Sequence, residues 1–224
     1  MHLPRALTGL AALAGIAPRQ FPADSSVHVD KETGLTFASY TSDAGIEFRV
    51  AIPGTIPTNL VYETVIQVVA PIKIGWAGFA WGGAMTYNPL TIAWPNGTHN
   101  IVLSSRIAYG YYSPPAYTSA NYTILKKGTH INATHWQYTA SCTGCSSWGD
   151  ADVGVSTLDP SGQTTMAYAY ANAPVDTPSS EASSFGIHDS LGHPIFDLSE
   201  GKNADFAAKV KKAGKAPKPR AHRN

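Results

Sequence analysis

Hydrophobic and polar residues alternate with a period of two along most of the chain. Successive side chains of a β-strand point to opposite faces, so this alternation predicts strands with one buried face. Nine such runs follow one another at close spacing, over residues 35–40, 46–52, 61–69, 72–81, 90–94, 100–104, 122–125, 130–140 and 164–171. Turn residues separate them, as in Pro53-Gly54 and Gly82-Gly83. Many short strands joined by turns predict an all-β, antiparallel β-sandwich.

The two ends of the chain depart from this strand pattern. A helix is predicted over residues 204–213 and ends at Gly214. Residues 214–224 are rich in Lys, Pro and Ala and are predicted to form a basic disordered tail. At the other end, a positive charge in residues 1–5 precedes an apolar run over residues 6–17. This pattern predicts a secretory signal over residues 1–19, with an open cleavage site, and a folded domain over residues 20–213.

Export is also indicated by three Asn-x-Ser/Thr triplets, which are acceptors for glycosylation in secreted proteins. They begin at Asn96, Asn121 and Asn132, on turn-like or strand-edge segments. Apart from the signal, no segment approaches the roughly 18 apolar residues that a membrane helix needs. The sequence therefore predicts a secreted, extracellular glycoprotein without a membrane span.

The small net charge of +1 hides an uneven distribution. Residues 202–224 hold eight of the 16 Lys and Arg residues and one of the 15 acids, which leaves eight bases against 14 acids in residues 1–201. The body is therefore acidic and the C-terminal end basic. Because export argues against a nucleic-acid partner, the basic end is interpreted as a solvated tail, or as a segment that docks on an acidic partner.

Few residues carry candidate chemistry. The sequence has no Gly-x-Ser-x-Gly or His-Glu-x-x-His motif and no dinucleotide fingerprint. Met85 follows Gly82-Gly83, where glycine lets the backbone approach a flat partner closely. His188 lies in a loop-like segment, with His193 five residues further on. Taken alone, these residues have an ordinary interpretation as a core methionine and loop histidines.

Cys142 and Cys145 form a Cys-x-x-Cys motif with three interpretations. A redox dithiol needs a thioredoxin-like βαβ setting, which the strand pattern lacks. A zinc site could recruit His130 and His135, but these histidines lie in an extended run with no helix indicated. A structural disulfide suits an exported domain.

Four blocks of the sequence resemble the cytochrome domain of fungal cellobiose dehydrogenases. These blocks are residues 76–94 (WAGFAWGGAMTYNPLTIAW), 104–111, 134–148 (THWQYTASCTGCSSW) and 185–197, and the similarity covers about residues 25 to 210. The resemblance implies an immunoglobulin-like β-sandwich, in agreement with the strand pattern. It also implies a disulfide at the position of Cys142 and Cys145.

The resemblance further implies one non-covalent haem b. By motif position, its axial ligands are Met85 and His188, with His193 as a lower-ranked competing histidine. Tyr111 matches a family tyrosine near a haem propionate, and Arg106 is a candidate propionate partner. Trp81, Tyr87 and Phe185 are candidates for the pocket wall. The sequence has no Cys-x-x-Cys-His motif for covalent haem attachment.

Methionine and histidine together fill both axial positions of iron, which suits electron transfer and argues against an oxygenase or a peroxidase. The resemblance therefore implies a free-standing relay, expected to be monomeric, because the flavin domain that oxidises the sugar is not in this sequence. A flavin dehydrogenase would donate the electron. A copper polysaccharide monooxygenase, Fe(III) or a quinone would accept it.

Two other functions remain open. A haem-free sandwich could bind carbohydrate through exposed aromatic residues such as Tyr111, Tyr112 and Tyr117. A copper monooxygenase needs a histidine at the mature N-terminus, and none of the candidate cleavage sites supplies one.

Overall fold

The computed structural model describes residues 22–150, 152 and 154–215, so the predicted signal and most of the predicted tail lie outside the described residues. Strands are the main regular structure of the described chain. In chain order these are β1 (Ser26–Val29), β2 (Thr36–Thr41), β3 (Glu47–Pro53), β4 (Thr64–Pro71), β5 (Trp76–Ala80), β6 (Pro89–Asn96), β7 (Asn100–Ile107), β8 (Asn121–Ile124), β9 (His130–Ile131), β10 (His135–Thr143), β11 (Ser147–Asp150), β12 (Gly154–Thr157), β13 (Gln163–Thr165), β14 (Ala167–Ala171), β15 (Ser190–Gly192), β16 (Ile195–Asp197) and β17 (Lys202–Asn203). A short 3-10 helix (Leu198–Gly201) precedes β17, and one α-helix, α1 (Phe206–Ala213), follows it.

Two sheets form the layers of a sandwich. The larger sheet has the strand order β1-β2-β3-β4-β10-β8, with β9 beside β10 and β17 beside β3. The second sheet has the order β15-β14-β5-β6-β7. All pairings between these strands are antiparallel except that of β17 with β3. The predicted fold class, an antiparallel β-sandwich with a short C-terminal helix, is confirmed.

The main core lies between the two sheets and is rich in aromatic side chains. Phe48 of the larger sheet stacks on Phe79 and Tyr168 of the second sheet, at ring-centroid distances of 5.9 and 5.0 Å. Trp81, Trp136 and Tyr138 are buried in the same cluster. Aromatic pairs of this kind stabilise a core by about 0.5–1.5 kcal/mol beyond their buried area.

The second sheet is apolar on both faces. Along β5, Ala77 and Phe79 point into the main core, whereas Trp76 and Ala80 point to the outer face. There they form a second buried cluster with residues of β6 and β14, against which Met85 and Phe185 pack. A strand that is buried on both faces reads as a continuous apolar run, which is the pattern of residues 76–81.

Helix α1 covers the outer face of the larger sheet, on the side of the sandwich remote from that second cluster. Phe206 and Ala213 are buried against Phe37 and Leu125. The amide of Gly214 donates to the carbonyl of Val210 and ends the helix. Among the described residues, no helix is long and apolar enough to span a membrane.

A disulfide joins Cys142 at the end of β10 to Cys145 just before β11, with a Cα–Cα distance of 5.9 Å. The disulfide prediction is therefore confirmed. With both sulfurs in the bridge, neither is a zinc ligand in this structure, and the motif lies between strands β10 and β11, not in the βαβ setting of a redox dithiol. Within the described part of the chain, no group of three or more His, Cys, Asp and Glu side chains has the arrangement of a metal site.

Candidate cofactor site

A cavity of about 610 Å³ opens on the outer face of the second sheet. Small residues of β5 and β14, namely Gly78, Ala80, Ala167 and Ala169, form part of its lining. Because these side chains barely rise above the sheet, the floor can accept a flat ligand at close range. Larger apolar side chains complete the lining, among them Trp76, Leu90, Ile92 and Phe185.

Met85 reaches this cavity from the loop between β5 and β6. Gly82 begins the loop, and a Cβ there would lie 1.8 Å from Oδ1 of Asn88. The Asn88 amide closes the loop by donating to the carbonyls of Ala84 and Thr86 at 3.1 and 2.9 Å. The loop is therefore fixed by its own hydrogen bonds, and the thioether of Met85 is held at the cavity wall.

His188 reaches the same cavity from the segment between β14 and β15. Hydrogen bonds tie this segment to strands β6 and β7: the Trp94 indole donates to the Pro178 carbonyl at 2.9 Å, and the Ser104 hydroxyl donates to the Glu181 carbonyl at 2.6 Å. Phe185 packs on Trp76 at the start of β5, whereas the Met85 loop follows the end of that strand. Met85 and His188, 103 positions apart in the sequence, thus approach one cavity from opposite ends of its central strand.

His193 also lines the cavity but is attached to the methionine loop. Its Nδ1 lies 2.9 Å from the carbonyl oxygen of Gly83. In the described part of the chain, the ring of His188 makes no such hydrogen bond. Because His193 is held on the methionine side of the cavity, His188 is better placed to oppose Met85.

Tyr111 and Tyr112 stand at the mouth of the cavity. The Tyr111 side chain is 90% exposed and that of Ile187, on the opposite segment, is 89% exposed, although both line the cavity. Large side chains left this open beside an apolar cavity mark a surface that a ligand would cover.

Arg106 lies close to the cavity but does not line it. Its guanidinium is buried and donates to the carbonyls of Pro114, Glu181 and Ser183 at 2.7–2.9 Å. Burial lowers the pKa of Arg106 from its ordinary value, which is so high that the side chain remains charged. The structure thus gives Arg106 main-chain partners, and its direct bond to a propionate stays a prediction.

The structure corrects two of the three predicted wall residues. Phe185 lines the cavity, but Trp81 points into the main core, where its indole donates to the Thr91 hydroxyl at 2.9 Å. Tyr87 is exposed outside the cavity and packs edge-on against Tyr109. The alternation along β5 could have identified Trp76 as the tryptophan on the cavity wall. Trp76 and Trp81 are five positions apart, so in an extended strand their side chains point to opposite faces.

The cavity lining contains no Asp, Glu, Lys or Arg. Its titratable side chains are His188, His193 and three tyrosines, and burial raises the pKa of Tyr168, the tyrosine on the floor. The lining is therefore neutral around pH 7 apart from its histidines. Such a wall suits an apolar ligand whose charged groups remain at the mouth.

Comparison with known proteins assigns the chain to a family. A family model for the cytochrome domain of cellobiose dehydrogenase matches residues 28–208. The chain belongs to this family. The family's cytochrome domains bind haem b, and membership supports an electron-transfer haem domain. Haem b is therefore the group to test against the cavity.

Relatives of this cytochrome domain agree with the assignment. A pyrroloquinoline quinone-dependent pyranose dehydrogenase from Coprinopsis cinerea is 27% identical over 214 residues, which cover 93% of this chain and 28% of that protein. The chain thus spans little more than a quarter of this curated relative. The cytochrome b domain of pyranose dehydrogenase from C. cinerea has a TM-score of 0.77 at 22% identity, and covers 86% of this chain and 97% of its own. The cytochrome domain of Myriococcum thermophilum cellobiose dehydrogenase has a TM-score of 0.76 at 22% identity, with coverage of 88% and 99%.

The residues of this cytochrome domain fit a haem. The cavity carries a thioether and an imidazole, both neutral ligands for iron, on an otherwise apolar wall. The buried indole N–H of Trp76, which also lines the cavity, has no hydrogen-bond acceptor among the described residues. A buried donor without a partner is rare in native proteins, and an acceptor on a bound group would satisfy it.

Proposed function

We propose that this chain is an electron-transfer domain that binds one haem b without a covalent link, with Met85 and His188 as its axial ligands. The observation that carries the proposal is the placement of these two side chains on one neutral, apolar cavity. When bound, haem supplies one-electron chemistry at its iron.

The two side chains determine which reactions this site favours. The thioether of Met85 would favour the reduced metal and raise its reduction potential, and the imidazole of His188 would be the second ligand. With both side chains bound to the iron, no coordination position would remain for O₂ or peroxide. The site is therefore suited to passing single electrons and not to oxygen activation.

The surrounding residues exclude water and place the charged edge of the group. Trp76 and Phe185 close the cavity on the His188 side, because Phe185 packs on Trp76 at 5.0 Å. Tyr111, at the mouth, is the proposed hydrogen-bond partner of a propionate, and Arg106 lies behind it as a source of positive charge. Neutral walls and a polar mouth would hold the two carboxylates of the group at the solvent.

The proposed setting is extracellular. It follows from the signal pattern and from the sequons at Asn96, Asn121 and Asn132. Asn121 and Asn132 are exposed and Asn96 is half-buried at the end of β6. The proposed donor is a sugar dehydrogenase with a flavin or, by analogy with the C. cinerea relative, a quinone cofactor. The proposed acceptors are a copper polysaccharide monooxygenase, Fe(III) and quinones, and the domain is proposed to act as a monomer.

Absorption spectra test the ligand assignment directly. The chain titrated with hemin should bind it in a 1:1 ratio, give a sharp Soret band and shift that band on reduction with dithionite. Met85→Ala should keep the fold but lower the reduction potential, because the thioether that favours the reduced iron is lost. His188→Ala should abolish stable binding.

His99→Ala is the matched control, because His99 is an exposed loop histidine remote in sequence from both ligands, and its spectrum should equal that of the wild type. An unchanged spectrum and potential in Met85→Ala would refute the methionine assignment. Full haem occupancy in His188→Ala would transfer the assignment to His193.

A haem-free carbohydrate-binding module is the alternative function, and the exposure of Tyr111 and Tyr112 at the cavity mouth favours it. Tyr117 is only half-buried and its main chain is bonded to Ser105, so it contributes less. A preparation that stays colourless when given hemin would favour this alternative over the proposed function.

A further inference from the structure

The guanidinium of Arg106 is a buried charge without an anionic partner. Among the described residues, no carboxylate lies within ion-pair distance of it. A buried charge is costly unless hydrogen bonds compensate it. Here the compensation comes from three main-chain oxygens and one hydroxyl, since Nη1 donates to Pro114 at 2.9 Å, Nη2 donates to Glu181 and Ser183 at 2.7 and 2.9 Å, and Nε donates to the Ser104 hydroxyl at 2.6 Å. The side chain thus joins the strand β7 to two loops of the chain.

Arg106 also contacts the aromatic ring of Phe185, which lines the same cavity as His188. The guanidinium carbon is 5.7 Å from the ring centroid of Phe185, within the range of a cation–π interaction. The same ring packs on the indole of Trp76, on the cavity wall, at 5.0 Å. Phe185 is therefore held by both neighbours, and it precedes His188 by three residues.

The segment that carries His188 is held by hydrogen bonds and packing, since among the described residues no strand pairing includes residues 172–189. Downstream of the histidine, the amide of Asp189 donates to the Tyr170 carbonyl at 2.8 Å, and its carboxylate accepts two hydrogen bonds from Asn172. Upstream, the amide of Asp176 donates to the Ser184 carbonyl at 3.0 Å and the Ser104 hydroxyl donates to the Glu181 carbonyl. Arg106 adds three contacts there, its two Nη2 bonds and its contact with the Phe185 ring. His188 thus lies between the attachment at Asp189 and a group of upstream attachments to which Arg106 contributes three.

From this geometry we infer that Arg106 is a positioning residue for His188, which acts by fixing residues 181–185 and so setting where the imidazole enters the cavity. The inference rests on the proposed function, because it gives Arg106 a task toward a proposed ligand. It differs from a role as a propionate partner, in which the charge of Arg106 would act on the bound group itself. Lysine retains that charge but lacks the planar fork that binds several carbonyls at once.

Arg106→Lys separates the two roles. In the haem-free protein, hydrogen exchange followed by mass spectrometry should show the hydrogen-bonded amides within residues 181–188, those of Ala182 and Ser183, exchanging at least about tenfold faster, because the anchor of the segment is lost, while β5, β6 and β7 keep their protection. In the hemin-loaded protein, part of the low-spin spectrum should become high-spin. Free imidazole should restore it, since added imidazole can replace a histidine that no longer reaches the iron.

Arg49→Lys is the matched control. Arg49 is a buried arginine of the larger sheet that bonds Glu47 and Gln67, so its replacement also removes a guanidinium fork, but away from the cavity. It should leave the exchange of residues 181–188 and the spectrum unchanged. Unchanged exchange of this segment in Arg106→Lys would overturn the inference.

Two further outcomes are decisive. A shifted potential with unchanged segment exchange and unchanged spin state in Arg106→Lys would identify Arg106 as a propionate partner and reject the positioning role. If Arg106→Lys does not fold, Phe185→Leu removes the ring contact and leaves Arg106 and its hydrogen bonds in place, and it should also give faster exchange of the segment and rescue by imidazole. If the wild type binds no haem, the proposed function fails, but the exchange measurement still decides whether Arg106 fixes the segment.

Discussion

Gly83 forms part of the turn in the methionine loop, two residues before Met85. Its φ of +77° lies in the left-handed region, which costs a residue with a Cβ about 1–2 kcal/mol. A Cβ at this position would also lie 2.8 Å from the carbonyl oxygen of Thr165. The turn therefore needs glycine for two separate reasons, one conformational and one steric.

Gly83→Ala should lower the free energy of unfolding of the haem-free protein by about 2–3 kcal/mol, because the strained φ and the clash with β13 add. Gly34→Ala is the control, since Gly34 has a similar φ of +75° but nothing within 4 Å of its Cβ, and it should cost only about 1 kcal/mol. Urea unfolding measures both values. Equal losses in the two variants would contradict the steric part of the argument.

At the same scale, the sequence predicts the cavity residues unevenly. Met85, His188 and Tyr111 line one cavity, and their roles toward a haem stay a prediction. Trp81 does not, because the side chains of a strand that is buried on both faces are apolar in either direction. The carbonyls of Glu181 and Ser183 that accept hydrogen bonds from Arg106 lie 75 and 77 positions away in the sequence. No local sequence pattern predicts hydrogen bonds over such a separation.

Among the secondary-structure elements, the strands with clear alternation are predicted well and the irregular ones are not. The predicted run over residues 46–52 corresponds to β3, and residues 130–140 cover β9 and β10, with a turn at Asn132 between them. Residues 172–189 show no alternation of hydrophobic and polar residues. This segment is held through its own main-chain carbonyls, which accept hydrogen bonds from side chains of β6 and β7. The segment that carries His188 therefore has no signature of its own in the sequence.

The disulfide joins two elements, β10 and β11, through a very short loop. In the chain-entropy model a loop of this size stabilises the fold by only about 2 kcal/mol. The double variant Cys142→Ala/Cys145→Ala should therefore lose about that amount in urea unfolding, and it should still bind hemin because neither cysteine lines the cavity. Loss of the haem spectrum in a folded double variant would show that the bridge also shapes the site.

At the scale of the whole molecule, charge is separated across the sandwich. The segment 172–189, beside the cavity, carries Asp176, Glu181 and Asp189, all exposed, and contains no Lys or Arg. Helix α1, on the outer face of the larger sheet, carries Lys209, Lys211 and Lys212. The segment beside the cavity is therefore negative and helix α1 is positive, and the negative segment favours approach of cationic partners toward the proposed electron-transfer site.

Small electron acceptors of opposite charge can test this polarity without any knowledge of the natural partner. Oxidation of the reduced protein by hexaammineruthenium(III), a cation, should slow severalfold as the ionic strength rises from about 0.01 to about 0.2 M, because screening weakens the attraction. Oxidation by ferricyanide, an anion, should accelerate over the same range.

Asp176→Asn/Glu181→Gln should reduce both salt effects, since these side chains lie on the cavity side. Lys211→Gln/Lys212→Gln, with the same number of charges removed on the remote face, should leave them nearly unchanged. The same salt dependence for both acceptors would show that charge on the cavity side does not guide the encounter.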